Sequence, residues 1–374
     1  MGSIDYTLMH KNLNVANFSI NDESWTISNY DTLDSIFNPV NTLIGKNEQA
    51  QQFLRWLDNR CIPNSREGVE RLRAAYQIND LKELMMAKYG LSLSDHFWVK
   101  KSGDNVQWEC VNFFDNNYSG NLGKIFFDKY FQKQIGDENN PDSSLNGSLR
   151  KKWEKREDGS YLLKGGTKLG QEPYNEVYAS MLLEHLDIKH AEYRLENLGN
   201  EAVSACKCLI DKDTEIISAA DICRTYGIKH TYEGYVKLCQ KKGLTGIEKK
   251  LGEMIVTDYL IDNVDRHWNN FGIIRDANNG EWMEPIPLFD NGNSVWVNQT
   301  PDAKSPSNSS SFGSNNDECV KMVNIGDYIK KEKLRNMEEI FSEAFKSYRD
   351  DDRKTQLHNA IREKIAVVSK LIDT

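Results

Sequence analysis

Ile247, Leu251, Met254, Ile255 and Ile261 recur at helical spacing with charged residues between them, which predicts an amphipathic helix over 245–262. Asn263 stands where a C-terminal cap belongs, and the polar run from Asn263 to Asn270 reads as a loop. Phe271-Gly272-Ile273-Ile274 has strand composition, Asp276 to Gly280 is a turn cluster, and Trp282 to Leu288 returns as a second strand. Pro285 and Pro287 make that second strand an edge or an irregular one. Upstream, Tyr161-Leu162-Leu163-Lys164 is a short apolar strand followed by Gly165-Gly166. Pro173 marks the start of a helix whose apolar face is Val177, Met181, Leu182 and Leu186. Nearer the amino terminus, Glu48–Leu57, Arg66–Tyr76 and Leu81–Tyr89 show helical spacing, the last ended by Gly90. Trp98-Val99, Trp108 and Val111 to Phe114 suggest aromatic-rich extended segments, and residues 1–39 read as partly strand and partly tail. These aromatic clusters read as core rather than as a binding platform.

Composition narrows the class. The 374 residues are 39% hydrophobic and 28% charged, as in a soluble globular protein long enough for two domains. No apolar stretch approaches membrane-spanning length, and no charged segment followed by an apolar run opens the chain, so a cytoplasmic location without membrane partners is expected. Tyr6 occupies the position where a myristoylation motif wants Ser or Thr. The net charge of −9 argues against direct nucleic-acid binding. Seven cysteines are scattered without a C-x-x-C pair and read as thiols in a reducing compartment rather than as zinc ligands. Cys206 and Cys208 alternate and are expected on one face of a strand. Thr300 to Asp317, rich in Ser, Asn, Pro and Gly, is the only low-complexity run. It lies where an activation segment would follow Asp290, as a substrate loop or a plain surface loop.

The predicted loop and hairpin carry the chemistry. Asp265 and Asn270 have the spacing D-x-x-x-x-N, and Asp290 follows the hairpin in Phe289-Asp290-Asn291-Gly292. A kinase needs this set: a carboxylate for the acceptor hydroxyl, and an Asn and an Asp for Mg²⁺. Chance alone gives about one or two such Asp–Asn pairs in a chain this long, so the value lies in the surrounding elements. Lys164 ends a strand, and Glu176 falls in the first turns of the following helix, as in the ion pair that sets a kinase lysine against the nucleotide phosphates. Read singly, Lys164 is an exposed strand-end lysine and Glu176 an acid near a helix N-terminus. His267 reads as a structural hydrogen-bonding residue beside Asp265.

These residues resemble a HipA-like kinase, a bacterial branch of the protein-kinase-like fold. The match rests on Asn263-Val264-Asp265-Arg266-His267 through Asn270-Phe271-Gly272, on Pro287 to Gly292, and on Leu163 to Gly166 followed by Asn175-Glu176. It covers about 140 to 374. The resemblance implies an α+β, two-lobed protein-kinase-like fold with an additional small amino-terminal module. It implies that Asp265 is the catalytic Asp, that Asn270 and Asp290 bind Mg²⁺, and that Lys164 and Glu176 position ATP. The family's best-known members are serine/threonine protein kinases, some of them toxins beside a DNA-binding antitoxin. The first 140 residues differ from the usual amino-terminal subdomain of the HipA toxin, and no antitoxin-like helix-turn-helix segment is apparent. The expected division is 1–39 as an amino-terminal segment, 40–138 as a small α+β module, 139–212 as the N-lobe and 213–374 as a helical C-lobe.

Under this reading Asp142 to Trp153 is the phosphate loop. It has no G-x-G-x-x-G, but Gly147 and Ser148 allow close backbone approach, and Arg150, Lys151 and Lys152 add positive charge; the alternative is a flexible polar linker after Asp137 to Pro141. The backbone from Ile210 to Lys212 falls at the hinge and would meet the adenine. The resemblance also points to Ser143, Ser144 and Ser148 as self-phosphorylation sites, a phosphate there being drawn to the neighbouring cations. The function expected is ATP- and Mg²⁺-dependent phosphorylation of Ser/Thr in a protein substrate, with the chain itself among the candidates and an antitoxin-like or regulatory partner left open. The alternatives are a small-molecule phosphotransferase on the same fold and a non-catalytic nucleotide-binding regulatory module.

Overall fold

A computed structural model describes residues 2–21, 23–128, 130–131, 140–307 and 311–373. Asp137 and the boundary at 138/139, together with residues 308–310 of the low-complexity run, lie outside the described residues. In chain order the structure begins with β1 (Ser3–His10), β2 (Leu13–Asn21), β3 (Thr26–Thr32), α1 (Lys46–Asp58), α2 (Val69–Tyr76), α3 (Leu81–Ala87), β4 (Phe97–Lys101), α4 (Trp108–Val111) and α5 (Asn121–Phe127). It continues with β5 (Lys151–Arg156), β6 (Gly159–Gly165), α6 (Glu172–His185), β7 (Tyr193–Leu198), β8 (Glu201–Lys207), β9 (Thr214–Ser218), α7 (Ala219–Tyr226), α8 (Tyr232–Lys241) and α9 (Ile247–Ile261). It closes with β10 (Gly272–Asp276), β11 (Trp282–Pro285), α10 (Asn316–Val320), α11 (Lys331–Leu334), α12 (Met337–Ala344) and α13 (Asp351–Ile372). No helix among the described residues is long and apolar enough to cross a membrane.

The chain forms two compact units. The first comprises Met1–Leu163, Cys208–Ile228 and Ile274–Met283; the second comprises Lys164–Lys207, Lys229–Ile273 and Glu284–Thr374.

In the first unit, β1 to β4 make an antiparallel sheet in the order β3-β2-β1-β4, with Leu8 opposite Ala16 on one side and Val99 on the other. Successive strand residues point to opposite faces, and both faces of this sheet are covered. Leu8, Phe18, Ile20 and Val99 pack with Phe53, Trp56 and Leu57 of α1. Met9 and Trp98, paired across β1 and β4, pack on the other face with Trp108, Phe113 and Trp153. Within residues 1–39 the described chain carries three strands, β1 to β3, and Phe37 beyond them joins the core, where the sequence pattern also predicts a tail. Trp108–Val111 is a helical turn and not an extended segment. Asn112 imposes it: its side-chain amide donates to the Trp108 carbonyl at 3.0 Å, and its Oδ1 accepts from the Phe114 and Asp115 amides at 3.0 and 2.8 Å. Cys206 is buried in β8 of the second unit, whereas Cys208 lies beyond the strand's end in the first.

In the second unit, α6 is buried on most of its surface. Tyr178 meets Phe341 of α12 edge-on at 5.6 Å, and Tyr174 meets Phe345 at 5.5 Å. The helix α9 packs against α8, α10 and α13. It ends at Asp262, in the left-handed conformation at φ 52°, so the cap falls one residue before Asn263. β11 ends at Pro285, Ile286 still donates to the Gly272 carbonyl of β10, and the chain then leaves the hairpin: Leu288 donates to the Lys189 carbonyl and accepts from the Ala191 amide, in a parallel bridge beside His190. This detour brings Asp290 to Lys164 and Asn291 to Glu176 of α6.

Candidate functional site

Lys164, at the end of β6, reaches two carboxylates at once. Its ammonium lies 2.9 Å from Glu176 Oε1 and 2.6 Å from Asp290 Oδ1, with the Tyr193 hydroxyl at 3.4 Å. Glu176 uses its other oxygen to accept from the Asn291 amide at 2.8 Å. Two further residues of this helix region hold the same segment: Asn175 donates to the carbonyls of Gly292 and Ser294, both at 2.7 Å, and Gln171 donates to the Val295 carbonyl at 2.8 Å. Asp290 itself has φ 59°, a left-handed conformation that costs a non-glycine residue energy and is held by these anchors. Lys164 and Glu176 are buried, while Asp290 is 34% exposed. Burial opposes the Lys164 charge, but Asp290 and Glu176 outweigh it and hold its pKa well above the ordinary lysine value.

The loop after α9 is built around Arg266, whose side chain is fully buried. Its guanidinium pairs with Asp258 at 3.0–3.2 Å and donates to the carbonyls of Asn270 at 3.1 Å and Phe289 at 2.6 Å, and to Asn291 Oδ1 at 2.5 Å. Burial alone would lower its pKa, yet Asp258 raises it, so the group stays charged. Asp265 is partly exposed; its backbone amide donates to Asn263 Oδ1 and its Oδ2 accepts from Asn293 at 2.7 Å. Asn270 donates its side-chain amide to the Asp265 carbonyl at 2.9 Å. Among the described residues no hydrogen bond reaches its Oδ1. His267 is half exposed, 4.0 Å from Asp265, and its ring accepts from the Asn269 amide at 3.3 Å. The low-complexity run is anchored at this loop: the Ser311 hydroxyl donates to the Arg266 carbonyl at 2.7 Å, and Phe312 packs edge-on against Trp268.

Lys164, Glu176, Asp265, Asn270 and Asp290 thus fall in the second unit, in two bonded groups, Lys164 with Glu176 and Asp290 and Asp265 with Asn270, linked through Arg266 and Asn291. Gly147, Ser148, Ile210 and Lys212 fall in the first. There Gly147 has φ 102°, and its carbonyl accepts from Arg66 Nε and Nη2 at 2.9 and 2.7 Å, while Arg66 also donates to the Leu145 carbonyl. Ile210 is buried, and Lys212 is exposed in a turn closed by Asp211. Ser143 and Ser144 are buried, Ser143 donating to the Asn140 carbonyl, so a phosphate on either requires this segment to open. Lys152 is buried and Arg150 lies 3.5 Å from Glu67. Asp142, at the root of the loop, accepts from the Trp153 amide at 2.6 Å and the Gly123 amide at 3.0 Å. Burial pushes its carboxyl up to about 7, against the Trp153 amide, Lys152 and Arg66.

Sequence reasoning missed Arg266, Asp258, Asn291, Asn293 and Tyr193 as parts of this network. Arg266 stands inside the motif, but its partners are set by tertiary packing. The spacing of Gln171 and Asn175, four apart, was a usable signal that one helix face is polar.

No protein-family model matches the chain, and no curated protein matches it. Among solved structures, a chain of the Shewanella oneidensis MR-1 toxin–antitoxin system of HipA, HipB and operator DNA superposes with a TM-score of 0.58 at 12% identity, covering 99% of this chain and 99% of that one. The Helicobacter pylori proinflammatory kinase CtkA superposes with a TM-score of 0.47 at 17% identity, covering 60% of this chain and 94% of that one. The fold assignment rests on the first: this chain has the α+β, HipA-like kinase fold.

Two outcomes test this architecture. Arg266→Met leaves Asp258 buried and unpaired, so it should lower stability by about 3–5 kcal/mol. Adding Asp258→Asn should recover part of that loss, whereas strictly additive losses in urea denaturation would mean the pair is not coupled. Asp142 binds a proton more tightly when folded, at about 7 against 3.8 unfolded. Its contribution is complete below the unfolded value and is lost as pH rises through the folded one. The stability of the wild type relative to Asp142→Asn should therefore fall between about pH 4 and pH 7 and level off above; parallel pH profiles would contradict the assignment.

Proposed function

We propose that this chain is an ATP- and Mg²⁺-dependent HipA-like kinase that phosphorylates a Ser or Thr hydroxyl of a protein. The observation that carries this reading is the single buried ammonium of Lys164 bonded both to Glu176 and to Asp290. Asp290, though bonded to Lys164, keeps a carboxylate side chain that is 34% exposed. Together with the uncommitted Oδ1 of Asn270, that is an oxygen donor set of the kind a hard divalent cation takes. Asn270 and Asp290 would hold Mg²⁺, which supplies neutralisation of phosphate charge. Lys164, fixed by Glu176, adds a positive charge for the phosphates. Asp265, oriented by Asn293 and its own backbone bond to Asn263, accepts the proton of the acceptor hydroxyl.

Gly147 and Ser148 are proposed for the phosphates, and the backbone at Ile210 and Lys212 for the adenine. The HipA relative was solved with HipB and operator DNA. For this chain a regulatory partner protein is part of the proposal, and direct nucleic-acid contact is not, given a net charge of −9.

Radiolabelled transfer from ATP to the chain itself, to generic protein and to small acceptors tests the reading. Label on Ser or Thr of protein is expected; label only on small acceptors replaces the acceptor class, and binding without transfer removes the enzyme. Asp290→Ala should lose about 10²–10³-fold in rate while remaining folded. Asp265→Asn should keep nucleotide affinity and lose turnover. Near-wild-type turnover in a folded Asp290→Ala protein would overturn the site.

A further inference from the structure

The first unit holds a second cluster that the proposed chemistry does not use. His10 ends β1, His96 precedes β4, and Glu215 lies in β9; all three are buried. His10 Nε2 is 3.0 Å from both carboxylate oxygens of Glu215. His96 Nδ1 is 3.6 Å from Oε2, which also accepts the His96 backbone amide at 3.1 Å, and Arg275 Nε is 2.6 Å from Oε1. One donor atom from each of the three ligands falls within 4.8 Å of the others. Ligand atoms in a tetrahedral site with bonds of about 2.0–2.1 Å stand roughly 3.3 Å apart, so these separations bracket the geometry.

The second observation is His96 itself. Its ring is fully buried, and neither ring nitrogen has a hydrogen-bond partner among the described residues. A buried imidazole with no partner at Nε2 and only a 3.6 Å approach to Glu215 at Nδ1 is costly and calls for an explanation. Its Nδ1 faces Glu215 Oε2, the oxygen other than the one that Arg275 Nε bonds.

We propose that His10 Nε2, His96 Nδ1 and Glu215 Oε2 bind a divalent metal ion of the zinc class. Two imidazole nitrogens and one carboxylate oxygen suit a borderline d-block dication, not Mg²⁺ or Ca²⁺, which take oxygen sets. The surroundings are those of a fixed site: Phe37 stacks on His10 at 3.9 Å, Phe114 stacks on His96 at 4.7 Å, and Arg275 holds the outer oxygen of Glu215. The ligands come from residues 10, 96 and 215, so the ion cross-links β1, the lead into β4, and β9 within one unit. Three protein ligands leave the fourth tetrahedral position open to an exogenous ligand.

The test is metal analysis of the full chain purified without chelator, beside His96→Phe, which keeps the stack on Phe114 and removes both ring nitrogens. One equivalent of Zn²⁺ per wild-type chain, lost in His96→Phe, is expected. Adding Zn²⁺ to chelator-stripped wild type at a hundredfold excess over Kd should raise Tm by roughly 5 °C and leave His96→Phe unmoved. Less than a tenth of an equivalent in wild type with no Tm response would overturn the proposal. So would one equivalent retained equally by His96→Phe. The metal content and Tm readouts stand apart from phosphoryl transfer, so failure here leaves the kinase reading untouched.

Discussion

The second unit depends on keeping the charge of Arg266 satisfied without water. The guanidinium is fully buried, and five donors must find acceptors there. Asp258 from α9, the carbonyls of Asn270 and Phe289, and Asn291 supply them. Because those acceptors come from the helix end, the loop and the segment after the hairpin, satisfying one side chain fixes the three relative to one another. Losing the guanidinium would leave a buried carboxylate and several carbonyls without donors, which is more expensive than losing any one contact.

Lys164 applies the same logic with a different outcome. It too is a buried cation among acceptors, but one of its partners, Asp290, is partly exposed and is held in a left-handed backbone conformation. Gln171, Asn175 and Glu176 grip residues 291–295, so the strain at Asp290 is borne by the packed helix α6. The segment is fixed where Arg266 sits, whereas at Lys164 one of the two bonded carboxylates, that of Asp290, stays 34% exposed.

Much of this was legible in the chain. The 3.6-residue period of Ile247, Leu251, Met254 and Ile255 gives α9, and the turn cluster at Asp276 to Gly280 gives the hairpin. Lys164 and Glu176, twelve residues apart, are bonded in the structure. Local signals could not give Arg266 its acceptors or bring Asn293 to Asp265, since those contacts span 23 to 28 residues and depend on how Pro285 and Pro287 turn the chain out of the hairpin. Aromatic content misread Trp108–Val111 as extended because the deciding residue is the capping Asn112. The three buried ligands at 10, 96 and 215 have no sequence spacing to betray them; only the sheet register and the approach of β9 bring them together.

The most direct test of the central claim is a kinetic double-mutant cycle on Lys164 and Glu176, measured as single-turnover phosphoryl transfer from ATP. If Glu176 acts by holding Lys164, Lys164→Met loses both nucleotide affinity and rate. Glu176→Ala then loses mainly rate, and the double variant is little slower than Lys164→Met alone. Independent, multiplicative losses in the double variant, with all three proteins folded, would contradict the account.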